Sequence, residues 1–297
     1  MSRVDPQRRK LLGALGVAAG APLLAAADPA GVVNDSLSTL LQAHYQRMTS
    51  EEIMEAIARI ERRALRDYGV AIHCRNTPPI PGVSFAMAID LSKCKGLRHC
   101  VAACSAENNN NRDQTTEYIR VLALPRHTLD LERADHYYTT SDPDHRHLPV
   151  QCQQCDNPPC VQACPVQATW KEPDGMVVID YDWCIGCRYC ATACPYWARR
   201  FNWRKPCLAG EQIHPDTHYL GNRPRPAGVM EKCTFCIQRT RLGQLPACQE
   251  ACPTGARIFG NLLDPDGELR HILANKSVFR LKEALGTEPR LWYFTSV

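Results

Sequence analysis

The sequence predicts an α+β fold in which short strands and short helices surround loops of clustered cysteines. Composition and one repeated motif support this prediction. Cysteine accounts for 17 of the 297 residues, whereas aromatic residues make up only 7%. Three separate segments end in the same Cys-x3-Cys-Pro sequence, at Pro165, Pro195 and Pro253. A chain of this kind is organised by cross-links between cysteines as much as by an apolar core.

The first 27 residues have the features of a twin-arginine export signal. Arg8 and Arg9 precede an uncharged apolar run from Leu11 to Ala26, and small residues suited to cleavage end at Ala27. The alternative is a membrane anchor, but the run has about 16 residues, short of the ~20 that a spanning helix needs. We therefore expect a periplasmic protein that is exported already folded, and cleavage of the signal is left open.

The predicted organisation has four parts. They are the signal peptide at 1–27, an N-terminal helical arm and linker at 28–82, a cysteine-rich domain at 83–262 and a C-terminal extension at 263–297. Removal of the signal leaves 31 basic and 30 acidic residues. This balance argues against a nucleic-acid partner. No apolar segment of 18 or more residues follows residue 30, so the mature chain is expected to have no transmembrane helix of its own.

Local signals place several elements within these parts. Thr49 and Glu52 form a capping box for an amphipathic helix that ends near Gly69, and this helix either packs on its own domain or docks a partner. Asp174-Gly175 is a hairpin turn signal. The expected strands are Val83–Ile89, Gly175–Ile179 and Leu291–Phe294, and a short helix is expected over Phe279–Leu285, capped by Gly286.

Fifteen of the cysteines form four sets. The sets are Cys94, Cys100 and Cys104; Cys152, Cys155, Cys160 and Cys164; Cys184, Cys187, Cys190 and Cys194; and Cys233, Cys236, Cys248 and Cys252. The third set has the Cys-x2-Cys-x2-Cys-x3-Cys-Pro spacing that binds a [4Fe–4S] cluster in bacterial ferredoxins. The second and fourth sets widen one gap and keep the same ending. The two remaining cysteines, Cys74 and Cys207, stand apart.

Disulfides and zinc are the alternatives to iron. Abundant cysteine in an exported protein usually indicates disulfides, but 17 is an odd number and disulfides do not explain three Cys-x3-Cys-Pro endings. Zinc takes four ligands per ion, usually as paired Cys-x2-Cys units, and a Cys-x2-Cys-x2-Cys run leaves one thiolate over. The pattern therefore favours iron–sulfur clusters.

The four sets resemble those of the four-cluster ferredoxin-type electron-transfer subunits of the molybdopterin oxidoreductase superfamily, over residues 84–262. The resemblance implies two interleaved bacterial-ferredoxin-like modules with loop insertions, because the last cysteine of each set ligates the cluster of a paired set. It implies three fully ligated [4Fe–4S] clusters. Their ligands are Cys152, Cys155, Cys160 and Cys194; Cys184, Cys187, Cys190 and Cys164; and Cys233, Cys236, Cys248 and Cys104.

The fourth implied site departs from the family pattern. Only Cys94, Cys100 and Cys252 are left for it, and Leu97 stands in the position of the missing cysteine. The site therefore holds a [3Fe–4S] cluster, an atypical [4Fe–4S] cluster or nothing. His99 and Cys74 are weaker candidates for a substitute ligand. We interpret His99 as a non-ligand, and Cys207 as a buried or idle thiol. The histidines in the segments between the sets are expected at the surface, namely His127, His136, His145, His147, His214 and His218.

No catalytic triad, nucleotide loop or P-loop occurs, so we expect an electron relay without a substrate site of its own. The signal, the preceding helix, the depleted Cys94–Cys100 loop and the run from Glu107 resemble the periplasmic O subunits of dissimilatory sulfite-reduction (Dsr) membrane complexes. This resemblance implies a respiratory role in sulfur metabolism, with a polytopic quinone-interacting membrane subunit and a multihaem cytochrome c as partners.

Three other functions remain open at this point. One is the electron-transfer subunit of a periplasmic molybdopterin oxidoreductase, such as a polysulfide, tetrathionate or dimethyl sulfoxide reductase. The second is a periplasmic hydrogenase relay, and the third is a stand-alone soluble ferredoxin carrier.

Overall fold

The computed structural model describes residues 48–112, 116–126 and 134–296. The predicted signal peptide and the first part of the helical arm lie outside the described residues, as does His127. The chain from Met48 onward forms one compact unit. Among the described residues, none of the helices combines the length and the apolar character that a bilayer span requires.

The first described helix, α1 (Ser50–Tyr68), begins and ends where the sequence indicates. The Glu52 backbone N–H donates to Thr49 Oγ1 at 3.3 Å, and the Thr49 N–H donates to Glu52 Oε2 at 2.7 Å. Gly69 ends the helix in the left-handed conformation, with φ of 70°. The buried side of α1 carries Ala56 and Ile60, which join the main apolar core. The helix therefore packs on its own domain.

The remaining helices are short, and most of them carry or follow cysteines. They are α2 (His99–Glu107), α3 (Pro159–Gln162), α4 (Tyr189–Thr192), α5 (Ile237–Thr240), α6 (Ala247–Glu250) and α7 (Glu268–Asn275). Helix α2 packs against α6, and α3 packs against α4. Each packed pair joins helices from two different cysteine sets.

Twelve strands are found among the described residues, and most pair in twos. They are β1 (His73–Arg75), β2 (Phe85–Asp90), β3 (Arg120–Pro125), β4 (His145–Val150), β5 (Thr169–Lys171), β6 (Val177–Ile179), β7 (Arg200–Phe201), β8 (Asp216–His218), β9 (Met230–Glu231), β10 (Arg257–Asn261), β11 (Val278–Phe279) and β12 (Leu291–Phe294). Strand β1 pairs with β8, β3 with β4, β5 with β6 and β7 with β9. The β5–β6 hairpin turns at Asp174-Gly175, as predicted, with φ of 85° at Gly175.

One larger sheet joins distant parts of the chain, in the order β10-β2-β12-β11. Its centre, β2, is fully buried and leads into the first cysteine set, while β10 follows the fourth set. Met87 and Ile89 of β2 face the main core, and Ala86 and Ala88 face a second core under α7. Strand β12 lies parallel to β2, and Leu291 pairs with Met87.

The expected helix over Phe279–Leu285 is wrong. Phe279 instead pairs with Tyr293 in the β11–β12 ladder, and only a 3₁₀ turn forms at Glu283–Leu285 before Gly286. Pairing with a strand outweighs the local helical preference here, because it completes the edge of the larger sheet. Helix α7 was not predicted, although Leu269 and Ile272 at helical spacing form its buried face.

Candidate iron–sulfur sites

The fold gathers the fifteen clustered cysteines into four groups, which we number along the molecule. Site 1 contains Cys94, Cys100 and Cys252; site 2 contains Cys104, Cys233, Cys236 and Cys248; site 3 contains Cys152, Cys155, Cys160 and Cys194; site 4 contains Cys164, Cys184, Cys187 and Cys190. Burial raises the pKa of Cys94, Cys104, Cys155 and Cys164, one cysteine in each group, and thiolates of the same group add to this effect. The family resemblance implies the same four groups, and the assignment of their thiols as cluster ligands stays a prediction.

Most of these thiols lie in surroundings that disfavour a free thiolate. Burial, followed by the charge of nearby thiolates, raises the pKa of Cys155 and of Cys233 to about 12. Metal binding deprotonates a thiol outright and supplies the compensating positive charge. Buried groups of three or four such thiols therefore have the donor chemistry that iron requires.

No group of three or more His, Cys, Asp or Glu side chains in the described ranges is arranged to hold a single metal ion. Thiolates that share a cubane cluster lie farther apart than ligands around one ion. This finding therefore leaves the cluster interpretation in place.

Backbone and side-chain N–H groups point at the sulfurs. The Phe235 N–H donates to Cys233 Sγ at 3.4 Å, and the Ala256 N–H donates to Cys252 Sγ at 3.4 Å. At site 2, Asn108 Nδ2 lies 3.6 Å from the sulfur of Cys104. Such N–H···S contacts stabilise ligating thiolates and tune the potential of the cluster they hold.

The loops of site 1 and site 4 have the same backbone construction. The Cys94 N–H donates to the Asp90 carbonyl at 3.2 Å, and the Cys184 N–H donates to the Asp180 carbonyl at 3.0 Å. Two residues after each of these cysteines comes a glycine with φ of 72°. Each loop then enters its helix, α2 or α4, through an arginine in the left-handed conformation. Leu97 therefore occupies the backbone position that Cys187 occupies in site 4.

A pocket opens at site 1. Its walls include the three cysteines of the site together with Leu97 and His99. Leu97 is 48% exposed, so its side chain covers the site only in part. Solvent therefore reaches this cysteine-poor site through a pocket.

Comparisons with known proteins agree with this geometry. The family of 4Fe-4S dicluster domains matches residues 143–212 and 219–262. The chain is also similar to a putative iron–sulfur subunit of dimethyl sulfoxide reductase from Halobacterium salinarum. The two are 40% identical over 213 residues, which cover 71% of this chain and 78% of that one.

Two further relatives widen the group. A selenate reductase subunit of Mesobacillus selenatarsenatis is 35% identical over 257 residues, covering 83% of this chain and 80% of that one. The Hdr-like menaquinol oxidoreductase iron–sulfur subunit 1 of Archaeoglobus fulgidus is 35% identical over 236 residues, covering 70% and 82%. The chain belongs to the family of ferredoxin-type iron–sulfur subunits of oxidoreductase complexes. The predictions of an electron-transfer subunit and of [4Fe–4S] clusters are thereby confirmed.

In this iron–sulfur subunit, two buried arginines contact the cysteine sulfurs. Arg199 Nη2 lies 3.0 Å from Cys160 Sγ, and Arg257 Nη2 lies 3.6 Å from Cys100 Sγ. Sequence reasoning missed both arginines. The signal was present, however, because each stands five residues after the last cysteine of a set, in the repeated sequence Cys-Pro-x-x-Ala-Arg.

The two separate cysteines lie away from the four groups. Cys74 is buried in β1, and its pKa is raised first by burial, with Thr217 and Arg223 opposing this effect. Cys207 is exposed, and its N–H donates to Asn111 Oδ1 at 3.0 Å. Their surroundings give neither cysteine a place in the proposed ligand sets of this protein.

Two of the histidines expected at the surface are buried. His147 lies behind the site 1 loop, where a Cβ atom on Gly96 would come within 2.4 Å of its Nε2. His218 is fully buried: its Nε2 donates to the Thr77 carbonyl at 3.1 Å, and its Nδ1 accepts from the Leu220 N–H at 3.1 Å. Both are packing residues. Their burial could not be predicted, because neither histidine is part of a motif or a periodic pattern in the sequence.

Proposed function

We propose that this protein carries single electrons along the four sites in numerical order. The support comes from electrostatic interactions between cysteines of neighbouring sites. Cys100 of site 1 acts on the pKa of Cys248 of site 2, and Cys152 of site 3 acts on that of Cys233 of site 2. Cys160 of site 3 acts on the pKa of Cys190 of site 4. In each case burial is the larger effect. A series of close sites is the arrangement that one-electron transfer requires.

The proposed cofactors follow from the ligand count. Sites 2, 3 and 4 each offer four cysteines and would hold [4Fe–4S] clusters, with the ligands interleaved between two ferredoxin-like modules. Site 1 offers three thiols beside the apolar Leu97, and we propose a [3Fe–4S] cluster there. Two findings would correct this assignment. One is an atypical [4Fe–4S] cluster that uses His99 from the pocket wall, and the other is an empty site.

We further propose that the protein serves a membrane-associated complex with a molybdopterin-containing catalytic partner. Relatives named for dimethyl sulfoxide reductase and selenate reductase support this partner better than they support a Dsr complex. A relative named for a menaquinol oxidoreductase supports electron exchange with a quinone-interacting membrane subunit. The multihaem cytochrome c that the sequence predicts as a partner is expected only if the protein serves a Dsr-type complex.

A Dsr-type complex is the second candidate function. It rests on two sequence features, the site 1 loop with its missing cysteine and the helix α1 that precedes it. It also rests on the Hdr-like menaquinol oxidoreductase subunit of Archaeoglobus fulgidus, which is not named for a molybdopterin reductase. In this case the protein would link the quinone pool or a multihaem cytochrome c to sulfur metabolism.

The proposed location is the periplasmic face of the inner membrane, reached by the twin-arginine route. This proposal rests on residues 1–27 alone. Replacing Arg8 and Arg9 together by lysine should leave cluster-loaded protein in the cytoplasm, as judged by cell fractionation. Continued arrival of the variant in the periplasm would contradict the proposed route.

Purification of the native complex tests the proposed function. The complex is extracted from membranes in detergent, and its subunits are identified by mass spectrometry. Co-purification with a molybdopterin subunit and a polytopic membrane subunit is expected. A cytochrome c partner without molybdopterin would favour the Dsr candidate, and recovery only as a soluble monomer would indicate a stand-alone carrier. If anaerobically purified protein contains almost no iron or acid-labile sulfide, every one of these electron-transfer functions is wrong.

A further inference from the structure

The buried cations of this protein fall into two classes. Six lysine and arginine side chains are buried among the described residues, namely Arg199, Arg223, Arg225, Lys232, Arg241 and Arg257. Three of them pair with carboxylates: Arg225 with Glu231 at 2.5 Å, Arg241 with Asp174 at 2.8 Å, and Arg223 with Asp182 at 3.3 Å. Within the part of the chain that the structure describes, Arg199, Lys232 and Arg257 have no carboxylate partner.

Arg257 lies between site 1 and site 2. Its Nη2 is 3.6 Å from Cys100 Sγ of site 1, and its Nη1 is 3.9 Å from Cys248 Sγ of site 2. Gln151 Oε1 accepts a further bond from Nη1 at 2.6 Å. The guanidinium therefore contacts a sulfur of each neighbouring site.

Lys232 lies where site 2 meets site 3. The side chain is fully buried, and its ammonium donates to two backbone carbonyls, that of Cys233 at 2.7 Å and that of Val177. Gln154, the residue before Cys155 of site 3, donates to the same Cys233 carbonyl at 2.8 Å, so Lys232 lies beside residues of both sites. Backbone carbonyls satisfy the hydrogen bonds of the ammonium but leave its charge uncompensated.

Arg199 lies between site 3 and site 4. Its Nη2 donates to Cys160 Sγ at 3.0 Å and to Thr169 Oγ1 at 2.9 Å. Cys190 of site 4 is also among the thiols close enough to act on its charge. Its Nε and Nη1 are buried, and neither has a hydrogen-bond partner among the described residues.

A buried charge without a partner costs several kcal/mol, so such residues are retained only where an opposite charge meets them. Arg257 and Arg199 contact cysteine sulfurs, Lys232 binds the backbone carbonyl of Cys233, and a cluster held by thiolates is anionic. We propose that Arg257, Lys232 and Arg199 are built-in countercharges, one at each of the three junctions between adjacent clusters, which raise the reduction potentials of the two clusters they separate. This inference rests on the proposed function, because it requires clusters in the four sites.

The physical consequence is directional. Reduction adds a negative charge to a cluster, and a fixed cation a few ångströms away stabilises that charge strongly in a dry interior. Removal of the cation should therefore lower the potentials of the two clusters beside it and leave the distant ones unchanged. It also removes the screening between neighbouring clusters, so that one cluster becomes harder to reduce once the other is reduced.

The test compares Arg199→Gln, Arg199→Lys and Arg257→Gln in the purified holoprotein. Glutamine keeps an N–H donor but removes the charge, and lysine keeps the charge. Redox titrations followed by electron paramagnetic resonance give the midpoint potential of each cluster. We expect Arg199→Gln to lower the potentials of sites 3 and 4, Arg257→Gln to lower those of sites 1 and 2, and Arg199→Lys to stay near wild type.

Arg241→Gln is the matched control, because Arg241 is also buried but is paired with Asp174. It should lower the thermal stability without moving any potential. Lys232→Gln gives a second, independent variant at the middle junction in case one arginine variant fails to fold, and it should act on sites 2 and 3.

The outcomes separate this inference from the proposed function. Clusters present at wild-type content with unchanged potentials in the glutamine variants would overturn the countercharge role and leave the electron relay standing. An equal decrease of the midpoint potentials in Arg199→Lys and Arg199→Gln would also overturn the countercharge role. The shape of the side chain, and not its charge, would then set the potentials. Absence of iron from the wild-type protein would overturn the proposed function itself.

Discussion

Leu97 and Cys187 occupy the same position in two loops of the same backbone shape. Each follows a glycine with φ of 72°, and each precedes an arginine with positive φ, 58° at Arg98 and 66° at Arg188. The loop of site 1 is therefore intact, and only the side chain at one position differs. A single thiol separates site 1 from the full complement of site 4.

Leu97→Cys should convert site 1 into a four-thiolate site. We expect the variant to gain iron and to lose any three-iron signal in the electron paramagnetic resonance spectrum of the oxidised protein, because the fourth thiolate holds the fourth iron. Leu97→Ala is the control, since it opens the same space without supplying a ligand. An unchanged iron content in Leu97→Cys would show that site 1 does not assemble a cluster of the ferredoxin type.

Cys233→Ser and Cys207→Ser should differ sharply in iron content. Cys233 lies buried in site 2, so its loss removes one of four proposed ligands of a cluster at the middle of the relay. Cys207 is exposed and lies outside the groups. We expect iron analysis to show loss of about one cluster in the first variant and wild-type content in the second. Equal content in both variants would remove Cys233 from the ligand set.

Gly186→Ala should damage site 4 through a steric clash. A Cβ atom at Gly186 would lie 2.1 Å from the carbonyl oxygen of Gly228, a backbone atom that cannot rotate away. Gly243 is the matched control, because its φ of 77° is similar but nothing lies within 4 Å of its Cβ position. Both alanines cost about 1–2 kcal/mol for the left-handed backbone. Only Gly186→Ala should also lose the site 4 cluster, as judged by iron content.

His218 should make the fold less stable in acid. Burial lowers the pKa of its imidazole from 6.5 to about 4, so the unfolded chain binds a proton over this interval while the folded chain does not. Stability therefore decreases as the pH falls below 6.5, and the loss is complete near the folded value. The shift corresponds to about 3 kcal/mol.

His218→Gln tests this dependence, since glutamine does not titrate. We expect the thermal unfolding temperature of the wild-type holoprotein to fall more steeply with pH between 6.5 and 4 than that of the variant. Parallel curves would mean that other groups control the acid response.

Short-range signals predicted the parts of the molecule that depend on neighbouring residues. The capping box of Thr49 and Glu52, the turn at Asp174-Gly175 and the cysteine spacings each act within a few residues, and the structure contains the local elements they indicate. The family resemblance supplied the pairing of the sets, which spacing alone leaves open.

Long-range features were not predictable in this way. Phe279 has a helical local sequence, but its partner Tyr293 is reached only when the chain folds back. The burial of His218 depends on Thr77, more than a hundred residues away, and Arg257 meets Cys100 across a similar separation. Such contacts are properties of the assembled core, and no periodicity in the sequence records them.

The position of β12 has a consequence for how this protein is made. Strand β2, which leads into the first cysteines, pairs with residues Leu291–Phe294 that are synthesised some two hundred positions later. About two hundred residues therefore leave the ribosome between β2 and the strand that closes the framework around Cys94. Until β12 has been made, the thiols of this loop lack the framework that would shield them from reaction with other molecules in the cell.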